Sequence, residues 1–479
     1  MLYWRVFANR KSPAAGPVPL LTVLLLFLTP LRGNTDLIPG RIYPAMACRA
    51  HPGQEYGLFL PPGYTPEKTY PLLIAFDPGG RTTLPLDRFQ QAAGDNGWIL
   101  ACPSRARNGP WEPVFEAMTA VWTDLRQRFP LDRDRIYVAG FSGGARAAAL
   151  FSKVVHHPVR GIIACGAGLP RGLDPAELKD TFYLGVTGLA DFNRKEHFFL
   201  QQTLKKSGCD CFFYQTLQGH EWPQKAHCRR LLSWLQILGD PGSPGPWEEV
   251  YRDSLDQGRI FESWDLVYYT ADYYGFIARV FSRVTDTRAL ENQARKVKET
   301  PACPDSRAEE EKRFRQEVEY LSRFRSVLRG IDQVNPPFAH PEVIWERIRF
   351  ASLMRLHRSD NLLERYLAIR VLSEFSHLGR LAAGQSLGEN RFAHALLFYD
   401  IVEKCGDLGY PDYYRMAAAS ARLGRSPEAL GYLREAIRQG FTDRSHLEKN
   451  PDFESLRCLP EFAELLEQMP ESAGNRPRG

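Results

Sequence analysis

Between Tyr56 and Leu238, short and almost unbroken apolar runs alternate with stretches whose apolar residues recur three or four positions apart. The runs are YGLFL, YPLLIAFD, GWILACP, RIYVAG, GIIACG, FYLGVTG and CFFYQTL. Continuous rather than alternating hydrophobicity marks strands covered on both faces, as in a mostly parallel sheet. Among the intervening stretches, Val114, Met118, Val121, Leu125 and Phe129 keep to one helical face. The alternation predicts an α/β fold with a doubly wound, mostly parallel sheet over residues 45–238.

The run GDPGSPGPW, residues 239–247, cannot continue a helix and reads as a linker. Beyond it the strand runs stop, and patterns rich in Arg, Glu, Leu and Ala predict a helical region over 248–380. Trp264, Tyr268, Tyr269, Tyr273 and Tyr274 crowd one part of it, and at helical spacing they read as core rather than as a ligand platform. Over 381–468 the pairs Ala395/Ala429, Tyr399/Leu433 and Val402/Ala436 each stand 34 residues apart. That is the period of tetratricopeptide (TPR) repeats, so TPR-like helical repeats are expected there. The tail, 469–479, is expected to be disordered.

Composition adds limits. A chain that is 44% hydrophobic and 24% charged should fold over most of its length. The surplus of 61 basic over 56 acidic residues comes without a dense Lys/Arg stripe, so no nucleic-acid partner is expected. At the start, Arg5, Arg10 and Lys11 precede an apolar run from Val18 to Leu31. This is short for a membrane span and suits the apolar part of a secretory signal. Residues 1–33 therefore read as a signal peptide or N-terminal anchor. The protein reads as exported, periplasmic or extracellular, and held at a membrane only if that segment stays uncleaved. Of nine cysteines, Cys102 and Cys165 sit in strand runs as small hydrophobes, while Cys209, Cys211 and Cys228 offer one oxidisable pair. No cysteine has zinc-site spacing, and neither a metal nor a cofactor is expected.

The chemistry centres on Gly140-Phe141-Ser142-Gly143-Gly144, which follows a strand run and opens a helix-compatible stretch. A turn this tight requires small neighbours at Gly140 and Gly144, and it lifts a serine hydroxyl above the carboxyl edge of a sheet. It also aims the Gly143 N–H at a developing oxyanion. A serine needs a base, and His220 stands in the loop after the last strand run. His227 falls in a helical stretch, and His156 and His157 lie at the far end of the helix after Ser142. Asp191 follows the preceding strand run and can orient the imidazole. Asp180 precedes its strand, and Asp174 and Glu177 belong to a connection. The order Ser142, Asp191, His220 is that of α/β-hydrolases. A second oxyanion donor is expected from Gly79, after the run YPLLIAFD, because Pro78 has no N–H.

The stretches YGLFLPPGY, YPLLIAFDPGG, DRIYVAGFSGGARAAA, TGLADFN and GHEWP resemble the secreted esterase branch of the α/β-hydrolases. That branch includes feruloyl and acetylxylan esterases, polyhydroxybutyrate depolymerase-like enzymes and predicted peptidases. The resemblance covers residues 45–238 and implies catalytic roles for Ser142, Asp191 and His220. It also implies a substrate contact for Trp222, in the Gly-His-x-Trp-Pro loop. FDPGG departs from the His-Gly pair usual in that branch.

Together these features point to a serine hydrolase that cleaves a small or polymer-linked carboxylic ester through an acyl-enzyme. The alternatives are a serine peptidase of the same fold, or a non-catalytic hydrolase-like scaffold. The helical tail is expected to bind a protein or peptide partner, or to cap the active-site face.

Overall fold

All seven apolar runs form strands, and one further strand precedes them. The computed structural model describes residues 37–469 except 265, 334–340 and 407. The strands are β1 (Ile42–Ala47), β2 (Glu55–Phe59), β3 (Tyr70–Phe76), β4 (Ile99–Pro103), β5 (Leu131–Phe141), β6 (Gly161–Cys165), β7 (Phe182–Gly188) and β8 (Cys211–Thr216). β1 begins before residue 45 and is not legible in the pattern. Pro44 interrupts it, and none of its side chains is fully buried.

The sheet order is β1-β2-β4-β3-β5-β6-β7-β8. β2 runs antiparallel to β1 and β4, while β3 to β8 pair in parallel. Four helices fill crossovers, α1 (Thr83–Asn96), α2 (Trp111–Arg128), α3 (Gly143–Val155) and α4 (Arg194–Lys206), and α5 (Lys225–Gly239) follows the last strand. Alternate strand residues face opposite cores. Leu73, Ala139 and Ile163 pack with Phe89 of α1 and Leu231 of α5. Ile74, Val138 and Ile162 pack with Val121 of α2 and Phe151 of α3. This is the α/β-hydrolase arrangement, in which ligands are met where the parallel strands end at their carboxyl edge.

The helical region begins with α6 (Trp247–Glu262), α7 (Val267–Phe281), α8 (Arg288–Lys298) and α9 (Ala302–Asp332). It continues with α10 (Pro341–Arg347), α11 (Phe350–His357), α12 (Leu362–Gly388), α13 (Phe392–Lys404), α14 (Tyr410–Arg422) and α15 (Ser426–Arg438). Two short helices, α16 (Arg444–Lys449) and α17 (Pro460–Glu467), close it.

The expected linker proves to be a turn between packed helices, because the sheet core runs on into this region. Phe212 of β8 stacks on Phe276 of α7 at 4.0 Å, and Trp234 of α5 meets the same ring edge-on. Tyr268, Tyr269, Tyr273 and Tyr274 are buried here as core. The Tyr269 hydroxyl also accepts the Gln215 N–H of β8 at 2.8 Å, which caps an edge strand that would otherwise expose unpaired backbone.

Further along, α13 and α15 begin at Phe392 and Ser426, 34 residues apart. Ala395, Tyr399, Val402, Ala429, Leu433 and Ala436 are all buried. The segment 1–33 lies outside the described residues, as does the tail beyond Met469. Met469 itself is packed into the last helical core. Among the described residues all nine cysteines are free, including Cys209, Cys211 and Cys228, which had offered an oxidisable pair. Cys209 and Cys228 instead sit buried, each pointing its thiol at a local carbonyl. No helix of the described residues is long and apolar enough to cross a membrane.

Candidate active site

β5 ends at Phe141 and α3 starts at Gly143, leaving Ser142 alone to turn the chain, with φ 53° and ψ −120°. A non-glycine residue at positive φ is strained, and such strain persists only where neighbours enforce it. Here they do. A Cβ at Gly140 would lie 2.0 Å from the Gly144 carbonyl oxygen, and one at Gly144 would lie 2.0 Å from that of Phe76. The Ser142 N–H donates to the Cys165 carbonyl at 2.8 Å, pinning the turn to β6.

His220, in the loop after β8, places Nε2 2.9 Å from Ser142 Oγ. Its Nδ1 lies 2.9 Å from Asp191 Oδ1, in the loop after β7. An ionised carboxylate only accepts, so this contact assigns the ring proton to Nδ1 and leaves Nε2 free to take one from the serine. Asp191 is 1% exposed and also accepts the Asn193 N–H at 2.8 Å. Phe141 and Phe192 flank the imidazole at 4.7 and 4.3 Å. The structure thus brings together residues 142, 191 and 220, which are far apart in the chain. The other candidates lie elsewhere: His227 contacts the Tyr214 hydroxyl, His157 the Pro158 carbonyl, Asp174 caps a short helical turn, and Glu177 pairs with Lys153.

Gly143, as the first residue of α3, has an N–H without an intrahelical acceptor, beside Ser142 at the positive end of the helix dipole. Gly79 does not match its expected role. Its N–H donates to Asp77 Oδ1 at 2.8 Å, while the Arg81 N–H donates to the same oxygen and the Gly80 N–H to the Asp77 carbonyl. The DPGG loop therefore closes on its own aspartate.

Trp222 is corrected for a related reason. It is 2% exposed, and its indole N–H donates to Asp77 Oδ2 at 2.8 Å, so it supports the loop rather than facing a substrate. Burial alone would raise the Asp77 carboxyl, but bonds from Arg81, Trp222 and Gly79 overcome this and hold it low.

The side chain nearest Gly143 is Asn108, whose own N–H is anchored on the Pro78 carbonyl. A Cβ added at Gly143 would stand 1.8 Å from Asn108 Oδ1 and 3.2 Å from its Nδ2. Asn108, Ser142 and His220 all border one cavity of about 760 Å³. Its floor is the carboxyl edge of the sheet, and its far wall is helix α12, through Ile369, Glu374, His377 and Arg380. His377 stacks on Phe192 at 5.3 Å, and burial together with the nearby His220 and Arg380 holds it below the usual histidine range. The sequence allowed a helical tail capping the active-site face, but none of these residues was a candidate. Nothing at positions 369–380 marks them as partners of a serine nearly 230 positions earlier.

α12 also holds the loop that carries Asp191. Arg194 at the start of α4 pairs with Glu310 of α9, both nearly fully buried. Lys195 pairs with Glu374, and Arg370 pairs with Glu317 at 2.9 Å. Among the described residues no cluster of side chains suits a metal ion.

No described protein family and no curated protein sequence matches the chain. Solved structures do. A ferulic acid esterase aligns at 17% identity over 41% of this chain and 97% of its own, with a TM-score of 0.34. The S-formylglutathione hydrolase of Staphylococcus aureus aligns at 15% over 42% and 98%, with a TM-score of 0.34. Dipeptidyl peptidase 4 of Porphyromonas gingivalis aligns at 17% over 41% and 35%, with a TM-score of 0.33.

Proposed function

We propose that this chain is a serine hydrolase acting on carboxylic esters. The observation that carries the proposal is the contact chain from Ser142 Oγ through the His220 ring to Asp191, with 2.9 Å at each link. His220 Nε2 takes the hydroxyl proton as Ser142 Oγ attacks the ester carbonyl, and Asp191 stabilises the imidazolium that forms. The tetrahedral oxyanion is met by the Gly143 N–H and the Asn108 side-chain amide, in place of Gly79. The protonated imidazole then gives its proton to the leaving alcohol. Water enters and attacks the acyl carbonyl as it loses a proton to the same nitrogen, and the imidazolium returns that proton to Ser142 Oγ as the acid leaves.

Trp111, Val114, Ala147 and Ile369 supply an apolar wall for the acyl part. Because α12 closes that wall, the helical region belongs to the site and does not merely follow it. Its 34-residue helix spacing and buried small residues support a TPR-like reading of α13 to α15, whose outer surface would meet a protein or peptide. The basic and then apolar N-terminus supports export.

The test is turnover of p-nitrophenyl hexanoate. The wild-type chain should hydrolyse it, and Ser142→Ala should lose about four orders of magnitude or more in kcat while melting as a folded protein. Equal rates in the two would refute the mechanism.

A further inference from the structure

The cavity around Ser142 is unevenly charged. Its lining includes three guanidinium groups, on Arg107, Arg146 and Arg380, against one carboxylate, on Glu374. That carboxylate is already matched by Lys195 and by Arg325, the latter at 2.9 Å. Glu196 and Asp412, which pair with Arg146 and Arg380, lie outside the lining. The cavity therefore sees the cations more than their partners.

Two of these arginines line the cavity together with the serine. Arg146 lies four residues after Ser142, near the start of α3, and lines the same cavity. Both of its bonds to Glu196 use Nη2, and among the described residues Nε and Nη1 carry no partner. Arg107 precedes Asn108, the residue against Gly143. Its Nε donates to the Ser104 carbonyl at 2.9 Å, and among the described residues its Nη1 and Nη2 have no partner and no carboxylate pairs with it. Guanidinium groups with spare donors in a nucleophile's cavity form a receptor for a planar oxyanion, since their donors make a rigid fork matching a carboxylate.

Resting on the serine-hydrolase reading above, we infer that the site takes esters bearing a carboxylate, held by Arg107 and Arg146 while Ser142 attacks the ester carbonyl. The apolar part of the lining, with Trp111 and Ile369, suits the short hydrocarbon part joining the two groups. Bulky neutral esters use only that apolar lining and leave the cationic rim without a partner, so the site discriminates by charge rather than by size alone.

The experiment compares mono(p-nitrophenyl) adipate with p-nitrophenyl hexanoate, which have the same acyl length and leaving group. The ratio of kcat/KM, adipate over hexanoate, should exceed about tenfold, and added salt should reduce it. In Arg107→Gln and in Arg146→Gln the same ratio should fall about tenfold. Arg107 is exposed, so its variant should keep the fold, which a melting curve checks. A ratio near one in an enzyme that cleaves hexanoate overturns the carboxylate inference and leaves the serine-hydrolase reading standing. A ratio above ten that neither variant changes overturns the role of these two arginines. If neither ester is cleaved and a fluorophosphonate leaves Ser142 unlabelled, both conclusions fall together.

Discussion

Arg370 Nη1 donates to the Leu189 carbonyl at 2.7 Å, tying helix α12 to the loop that presents Asp191 two residues later. The same guanidinium bonds Glu317 through Nε at 2.9 Å, and both side chains are almost wholly buried. Removing one partner of a buried pair strands the other charge, which typically costs about 3–5 kcal/mol. Arg370→Ala should therefore lower the urea midpoint markedly. It should also reduce kcat more than KM, because Asp191 loses its placement. Arg370→Lys, which keeps the charge, should recover part of both. An unchanged midpoint in the alanine variant would show that α12 does not support the loop.

Asn108 should behave as an oxyanion donor and not as a substrate contact. Replacing it with alanine is expected to lower kcat by about 10²- to 10³-fold with little change in KM, the signature of an interaction made only in the transition state. Asn108→Asp, which places an acceptor against the oxyanion, should be at least as damaging. A wild-type kcat in Asn108→Ala would remove this amide from the oxyanion hole.

Trp222 should be structural. Trp222→Phe keeps most of the packing against Phe141 and Phe89 but leaves the buried Asp77 without one donor. The expected cost is about 1–3 kcal/mol of stability, and relative kcat/KM across a panel of acyl chain lengths should not change. A changed chain-length preference would place the indole in the substrate's path.

His227 gives a pH signature. Burial, reinforced by the Arg230 charge, lowers it from 6.5 to about 4. A histidine kept neutral in the fold but free to protonate when unfolded favours the native state above pH 6.5, and that advantage fades as pH drops through 4. The span corresponds to a loss on the order of 3 kcal/mol. Melting temperatures of the wild-type chain should fall across this window, and those of His227→Gln should fall less. Parallel curves would mean that His227 does not titrate with folding.

Much of the fold was legible because strands buried on both faces must be apolar throughout, and all seven such runs became strands. β1 escaped because it lies at the sheet edge with Pro44 in it and with half-exposed side chains. At the site, Ser142, His220 and Asp191 could be nominated because each follows a strand of one sheet, and strand order carries them to the same edge. Gly79 and Trp222 could not be judged that way, since only the folded loop reveals that Asp77 draws both of their N–H groups. Arg146 was within reach, standing one helical turn from the serine. Arg380 and His377 were not, because packing of a distant helix leaves no spacing rule in the chain. The Pro/Gly run 239–247 was legible as a break but not as a turn between helices that share one core.

The most direct measurement is peptide mapping by mass spectrometry after treatment with a fluorophosphonate. A single adduct on Ser142 is expected in the wild-type chain, with labelling slowed by about three orders of magnitude or more in folded His220→Gln, because the serine then lacks its base. Equal labelling rates in the two, or an adduct at another residue while Ser142 stays free, would contradict a nucleophile activated through His220 and Asp191.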